Sequence, residues 1–106
     1  GAADARMALE CATIGGAGCL GRLGEIGSLQ IGAVGDVAVW SLQGVRFAGA
    51  IADPIEAWMR CGPISARDTI VHGRTIVRNG ELVSTRVDEM LSIHRRIATK
   101  MQRLAD

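Results

Sequence analysis

Aromatic residues are scarce in this sequence, which has no tyrosine, one phenylalanine and two tryptophans. A hydrophobic core must therefore be built from aliphatic side chains and alanine. The scarcity also argues against base stacking on single-stranded nucleic acid. The formal net charge is +1, so no basic surface is indicated for a nucleic-acid backbone or an acidic membrane.

Long apolar runs are also missing. None approaches the roughly 20 residues of a membrane span, and opening residues that include Asp4 are not typical of a signal peptide. Cys11, Cys19 and Cys61 form no Cys-x-x-Cys pair and leave an odd thiol. We therefore expect buried free thiols in a cytoplasmic protein.

Glycine and aliphatic residues are abundant instead, with 14 glycines and 48% hydrophobic residues in a chain of 106. This length corresponds to one domain or a piece of one. The most informative stretch is Gly27–Trp40, Gly-Ser-Leu-Gln-Ile-Gly-Ala-Val-Gly-Asp-Val-Ala-Val-Trp. Its glycines predict a tight turn that leads into a strand over Asp36–Leu42.

Three helices are predicted. The first starts after Asp4 as cap and ends at Gly21, with an apolar face at Met7, Cys11, Ile14 and Gly18. The second starts at Asp53-Pro54, buries Ile55, Trp58 and Met59, and ends at Gly62-Pro63. Thr85 can cap the third. Its apolar face comprises Val87, Met90, Leu91, His94, Ile97, Ala98, Met101, Leu104 and Ala105, opposite Arg95, Arg96, Lys100 and Arg103.

Arg67–Val83 predicts a three-stranded meander. Thr69–His72 and Arg74–Arg78 flank a turn at His72-Gly73, and Asn79-Gly80 is a strong hairpin signal. Val45–Ala50 is apolar and ambiguous.

Residues that could carry chemistry are few and scattered. His72 at the turn is best explained as solvated and His94 as a packing residue of the last helix. Adjacent Asp88 and Glu89 suit a helix first turn. Neither Ser65 nor Ser84 has a neighbouring base in the sequence. Gly15–Gly18 could cradle a phosphate, but no strand precedes it, so close helix packing is the preferred interpretation. We assign no catalytic, cofactor-binding or metal-binding residue.

Several of these segments together resemble the C-terminal part of metal-dependent amidohydrolases. Gly27–Trp40 resembles their Gly-Ser-Leu-Glu-x-Gly-Lys-x-Ala-Asp-Leu-Val stretch, with Gln30, Ile31, Ala33 and Gly35 as departures. Ile70–Gly80 is similar to their Val-x-Val-x-Gly-Arg hairpin, and Ala12–Arg22 to the helix that closes their barrel. Phe47–Pro63 resembles the branch with 8-oxoguanine deaminase and hydroxydechloroatrazine ethylaminohydrolase, in the cytosine deaminase and chlorohydrolase-like group.

The resemblance implies an α+β piece of a larger hydrolase. A TIM-like barrel would carry the chemistry, with zinc or iron that activates water to deaminate a purine-, pyrimidine- or triazine-like ring. The metal ligands would lie outside this chain. Residues 1–22 would be the last barrel helix, 23–84 part of a β-sandwich, and 85–106 an amphipathic C-terminal helix.

Two hypotheses about function follow. In the first, the chain is a structural segment that we expect to be inactive alone. Its partners would be the barrel and N-terminal strands of the parent, or further copies of itself, because uncovered aliphatic faces and open sheet edges favour association. In the second, it is a stand-alone α+β module for protein interaction without catalysis. No nucleic acid or membrane partner is expected under either hypothesis.

Overall fold

The computed structural model describes residues 4–105. Gly1–Ala3 and Asp106 lie outside this range. The structure therefore does not describe the start of the predicted segment 1–22 or the end of the predicted segment 85–106. The α+β class is confirmed, because a four-stranded antiparallel sheet is accompanied by helices on either side of it in the chain. Among residues 4–105, no helix is long and apolar enough to cross a membrane.

The N-terminal helix is continuous from Ala5 to Cys19 but changes its winding. It comprises α1 (Ala5–Glu10), a π-helical turn (Cys11–Gly15) and α2 (Gly16–Cys19). Asp4 caps it as predicted, accepting a hydrogen bond from the Met7 N–H at 2.8 Å. Gly21 ends it with a positive φ of 69°, and Arg22 N–H reaches back to the Ala17 carbonyl.

The apolar face predicted for this helix is exposed in the structure. Met7 is 51% exposed and Ile14 41% exposed, whereas Ala5 and Ala17 are buried. Ala17 precedes Gly18, a member of the predicted apolar face, and successive residues of a helix point about 100° apart around its axis. The helix therefore packs against the rest of the chain with a side that differs from its predicted apolar face. Small residues there allow close packing, while the larger aliphatic side chains face outward.

The second helix, α3 (Pro54–Arg60), begins as predicted with Asp53 as cap. The predicted stripe is only partly buried: Ile55 and Trp58 are half-buried, whereas Met59 is exposed. The most buried residue of the helix is Ala57. Ala57 belongs to the face that meets α1, where Glu56 accepts a hydrogen bond from Ala5 N–H at 3.1 Å. The same carboxylate also pairs with Arg60.

The sheet has the order β1-β2-β3-β4, with β1 (Val37–Val39), β2 (Asp68–Val71), β3 (Arg74–Arg78) and β4 (Glu81–Leu82). The predicted meander is confirmed, because β2 pairs antiparallel with β3 and β3 with β4. Both predicted turns are confirmed as well, since His72, Gly73, Asn79 and Gly80 all have positive φ. The first strand is shorter than the predicted Asp36–Leu42. A bulge between Thr69 and Ile70 shifts the register of β2 on β3.

The ambiguous segment Val45–Ala50 contains a short 3₁₀ turn, Val45–Phe47, that buries Phe47. The last helix, α4 (Val87–Ala105), is present as predicted, but it begins two residues after Thr85, so Thr85 does not occupy the predicted cap position.

The core is small for a chain of this length. Within the described range, the buried residues are Ala5, Ala17, Phe47 and Ala57. The accessible surface is 8515 Å², whereas a compact folded protein of 11.2 kDa would expose about 5,700 Å². The radius of gyration is 18.4 Å, against about 13 Å for a compact domain. The chain therefore leaves much of its apolar surface uncovered.

Candidate functional site

A groove of about 550 Å³ lies between the N-terminal helix and β1. Helix residues Leu9 and Thr13 form one wall, and β1 with Trp40 forms the other. Trp40 meets Trp58 of α3 at one end, with ring centroids 4.8 Å apart and planes tilted by 56°. Ala12 of the helix and Val37 and Ala38 of β1 also line these walls, and the connecting loop contributes six residues: Ile26, Gly27, Ser28, Leu29, Val34 and Asp36.

Asp36 joins this groove to the β2–β3 turn. Its Oδ1 accepts a hydrogen bond from His72 N–H at 2.7 Å. Beside it, the Gly35 carbonyl accepts one from Gly73 N–H at 2.8 Å. Gly35 can approach this closely because it has no Cβ, which would lie 2.9 Å from Gly73 N. Asp36 is therefore more than the local turn former predicted from the sequence, since it holds two distant segments together.

The loop enters the groove at Gly27-Ser28. Gly27 has φ of 81°, and a Cβ there would lie 2.5 Å from the Thr13 carbonyl oxygen. Only glycine fits this approach of loop to helix. The next residue places its hydroxyl in a buried position, where Ser28 Oγ has no hydrogen-bond partner among the described residues.

The groove has the character of a packing surface and not of a reaction centre. Its single carboxylate, Asp36, is engaged by a backbone amide, and no histidine, lysine or cysteine lines it. General acid–base or nucleophilic chemistry needs a base near a reactive group. Sequence reasoning missed Thr13 and Ser28 as groove residues, because nothing in their local patterns shows that loop and helix meet.

The candidates considered from the sequence do not converge. His72 is exposed at the β2–β3 turn, and His94 is exposed on α4. Ser65 lines a different, shallow depression, and Ser84 Oγ accepts a hydrogen bond from Arg86 N–H at 3.2 Å. Glu89, on the first turn of α4, lies 3.5 Å from Arg86. In residues 4–105, no three histidine, cysteine or acidic side chains come close enough to hold a metal ion.

The phosphate-cradle alternative for Gly15–Gly18 is wrong. All four residues are helical, at the end of the π turn and in α2, so their N–H groups do not form the open loop that such a cradle needs. The expectation of buried thiols is also wrong for Cys11 and Cys19, which are exposed. Cys61 is partly exposed, and all three are free.

Comparison with known proteins gives matches to enzymes far longer than this chain. The chain is 32% identical over 98 residues to 5-methylthioadenosine/S-adenosylhomocysteine deaminase of Syntrophobacter fumaroxidans, covering 92% of this chain and 22% of that protein. No protein-family model matches the sequence.

Solved structures agree with this match. Atrazine chlorohydrolase from Arthrobacter aurescens TC1, complexed with zinc, superposes with a TM-score of 0.74 at 33% identity, over 84% of this chain and 19% of its own. A mutant of the same enzyme, complexed with zinc and atraton, gives 0.75 at 33% identity, over 85% and 20%. The chain thus spans about one fifth of the length of its relatives. Sequence and structure together confirm the predicted resemblance: this chain matches the C-terminal part of a metal-dependent amidohydrolase.

Proposed function

We propose that this chain is the structural C-terminal segment of a metal-dependent amidohydrolase, which hydrolyses a C–N bond to deaminate a purine-, pyrimidine- or triazine-like ring. One observation carries the proposal: almost the whole chain aligns with a deaminase, and most of it superposes on a chlorohydrolase. The zinc complex of that chlorohydrolase supports a metal in the parent enzyme.

The metal does not fit the residues of this chain. His72 and His94 lie in separate elements and are exposed, and the described residues contain no group of donors that could converge on an ion. We infer that the parent supplies the metal ligands and the reacting groups from outside the segment. The segment itself would be inactive, and we derive no chemical step through its side chains.

Its role is then to complete and support the scaffold. We infer that residues 1–22 close a barrel, that 23–84 contribute one sheet of a β-sandwich, and that 85–106 form a separate C-terminal helix. Two features support this arrangement. Within residues 4–105, strand β1 pairs only with β2 and has a free outer edge, where further strands of the parent could add. The exposed Met7 and Ile14 face away from the rest of the segment, where a barrel would cover them.

The test is to express the full-length parent protein and the segment separately. Each is assayed with zinc or iron for ammonia release from a panel of aminopurines, aminopyrimidines and amino-triazines. We expect activity from the parent and none from the segment. In the parent, His72→Ala and His94→Ala should leave the bound metal per chain and kcat within about twofold of wild type, because neither is placed near the reaction.

Two results would reject the proposal. Loss of the metal in either histidine variant would place a ligand in this segment. A parent protein without any such hydrolysis, in which the segment only binds other proteins, would favour the interaction module. We also infer a cytoplasmic location, which fractionation of cells expressing the parent would check.

A further inference from the structure

The chain has a single asparagine, Asn79, which stands directly before Gly80 in the turn between β3 and β4. Both turn residues are exposed. Asparagine is one of the thermolabile residues, because the backbone nitrogen of the next residue can attack its side-chain amide. Glycine hinders this attack least, since it has no Cβ. The pair therefore has the composition of a site for spontaneous deamidation.

The reaction at such a pair consumes only water. Gly80 N forms a bond to Asn79 Cγ, the Cγ–Nδ2 bond breaks, and ammonia leaves with the proton of the backbone amide. Water then opens the resulting succinimide ring. Cleavage between Cγ and the nitrogen gives aspartate, whereas cleavage at the main-chain carbonyl gives isoaspartate, in which the backbone runs through the side chain. Neither step oxidises or reduces the chain.

The native turn opposes the first step. Gly80 N–H donates to the Arg67 carbonyl at 2.8 Å, so the attacking nitrogen keeps its proton. Asn79 N–H donates to Asp68 Oδ1 at 3.2 Å, and φ is 51° at Asn79 and 80° at Gly80. These contacts hold the backbone on both sides of Asn79, whereas ring closure requires it to rotate until Cγ faces Gly80 N.

Asp68 is itself held in place for this contact. Arg67 Nε donates to its Oδ2 at 2.6 Å, and its Oδ1 accepts the Asn79 N–H. Two adjacent residues at the start of β2 therefore fasten the β3–β4 turn, one through its carbonyl and the other through its carboxylate. We call the bonds to Asn79 N–H and Gly80 N–H the turn bonds.

The strand that follows the turn is weakly attached. Strand β4 has two residues, Glu81–Leu82, both of them exposed, and it lies at the edge of the sheet. Val83 N–H continues the hairpin with a bond of 2.9 Å to the Ile76 carbonyl. Short, exposed segments with few buried contacts open at a lower free energy than the rest of a structure. Opening of this hairpin releases the turn bonds and lets Asn79 rotate.

We propose that Asn79 is a deamidation site of this protein and that opening of the β3–β4 hairpin, against the two turn bonds, sets its rate. The isoaspartate product adds a methylene to the main chain of a two-residue turn, whose length fixes the strand register, so it does not restore the turn. Aspartate suits the same turn, but it adds a carboxylate next to Asp68.

The first experiment follows the full-length protein in mildly alkaline buffer over several days. Peptic fragments, prepared at low pH, are analysed by mass spectrometry for aspartate and isoaspartate at position 79. An unstructured peptide of residues 74–84 gives the rate without the turn bonds. We expect conversion in the full-length protein to be measurable and about tenfold slower than in the peptide, or slower still.

Gln43 is an internal control for this experiment. It also precedes a glycine and is exposed. Its side chain is one methylene longer than that of asparagine, so attack by Gly44 N would close a larger and less favourable ring. We expect Gln43 to stay unchanged in the samples in which Asn79 is converted.

The second experiment removes one turn bond. Asp68→Ala deletes the acceptor of Asn79 N–H, whereas the matched control Asp88→Ala deletes the same charge in the first turn of α4. We expect Asp68→Ala to speed conversion about tenfold, the factor that corresponds to one hydrogen bond, and the control to stay within about twofold of wild type. Hydrogen exchange at the turn should accelerate in parallel in Asp68→Ala, while exchange in the N-terminal helix stays unchanged.

Three outcomes would overturn the proposal. Conversion as fast in the full-length protein as in the peptide would show that the turn bonds do not protect Asn79. An intact Asn79 in the full-length protein after the peptide has been fully converted would show that it is not a deamidation site. Equal rates in wild type and Asp68→Ala would remove the role of Asp68. Hydrolase activity is not used in any readout, so this proposal is tested independently of the enzymatic one.

Discussion

At the residue scale, the most informative contact is the one between Gly35-Asp36 and His72-Gly73. Its two hydrogen bonds, of 2.8 and 2.7 Å, connect the start of β1 to the β2–β3 turn. Both turn residues have positive φ, so the turn presents its two amide groups in a fixed geometry. This contact gives the amidohydrolase-like Gly27–Trp40 stretch a physical role: it sets the register in which β1 enters the sheet.

Gly35 tests that role directly. A methyl group at Gly35 would lie 2.9 Å from Gly73 N and 3.2 Å from Gly73 Cα, and both are backbone atoms that cannot yield easily. We expect Gly35→Ala to lower the free energy of unfolding by about 1–3 kcal/mol. Gly49→Ala is the matched control, since no atom lies within 4 Å of its added Cβ. Urea unfolding of the full-length protein measures both, and equal stability of the two variants would disprove the close-contact account.

Asp68 gives a prediction about acid stability. The Arg67 guanidinium, 2.6 Å away, and the Asn79 N–H at 3.2 Å hold the pKa of this carboxyl below its usual value. A depressed pKa means that the folded state favours the carboxylate, so this contribution is complete above the unfolded pKa of about 3.9. It is lost as the pH falls below that value towards the folded pKa.

The substitution Asp68→Asn should remove this pH dependence. We expect the stability difference between wild type and Asp68→Asn to be larger at pH 7 than at pH 3. A carbon-detected titration of the Asp68 carboxyl measures its pKa directly. A midpoint at or above that of a model peptide would contradict the assignment.

At the element scale, the N-terminal helix shows how winding decides the effect of a glycine. Gly18 lies in α2, and an added Cβ would meet only Leu23 Cδ2 at 3.9 Å, an ordinary contact. Gly15 ends the π turn, and the same addition would lie 3.1 Å from the Glu10 carbonyl oxygen. The two glycines of one helix therefore face different constraints.

We expect Gly18→Ala to raise the free energy of unfolding by about 0.5–1 kcal/mol, the usual gain of alanine over glycine in a helix. Gly15→Ala should gain less or lose stability, because the carbonyl must move to admit the methyl group. Thermal unfolding of the two variants side by side measures the difference. A larger gain from Gly15→Ala would show that the π turn relaxes to an ordinary α-helix at no cost.

At the scale of the whole molecule, the dominant fact is uncovered apolar surface. The accessible area exceeds that of a compact protein of this mass by about half. The large exposed side chains occur on the N-terminal helix, in the loop before β1 and along α4. A surface of this kind is typical of a segment that is completed by other parts of a protein.

This surface should bind a hydrophobic dye. We expect the isolated segment to enhance the fluorescence of anilinonaphthalene sulfonate several-fold more per mole than the full-length protein, because our proposal has the parent cover Met7 and Ile14. Met7→Ser and Ile14→Ser together should reduce the signal of the segment. Equal dye binding by the segment and the full-length protein would mean that these faces remain open in the parent as well.

Features governed by local chemistry were determined by the sequence alone. The caps at Asp4 and Asp53, the helix end at Gly21 and the two turns at His72-Gly73 and Asn79-Gly80 all appear as predicted. Each depends on the conformational preferences of a few adjacent residues. The motif order was also sufficient to identify the amidohydrolase relationship.

Only the tertiary structure decided which faces are buried. Periodicity predicted an apolar face that includes Met7 and Ile14 but not what covers it; in this segment Ala5 and Ala17 are buried and the larger side chains remain exposed. The Asp36–His72 contact, between residues 36 positions apart, has no local signal either. An apolar face is buried only where another element meets it, and the positions of the other elements depend on contacts between segments that are distant in the sequence.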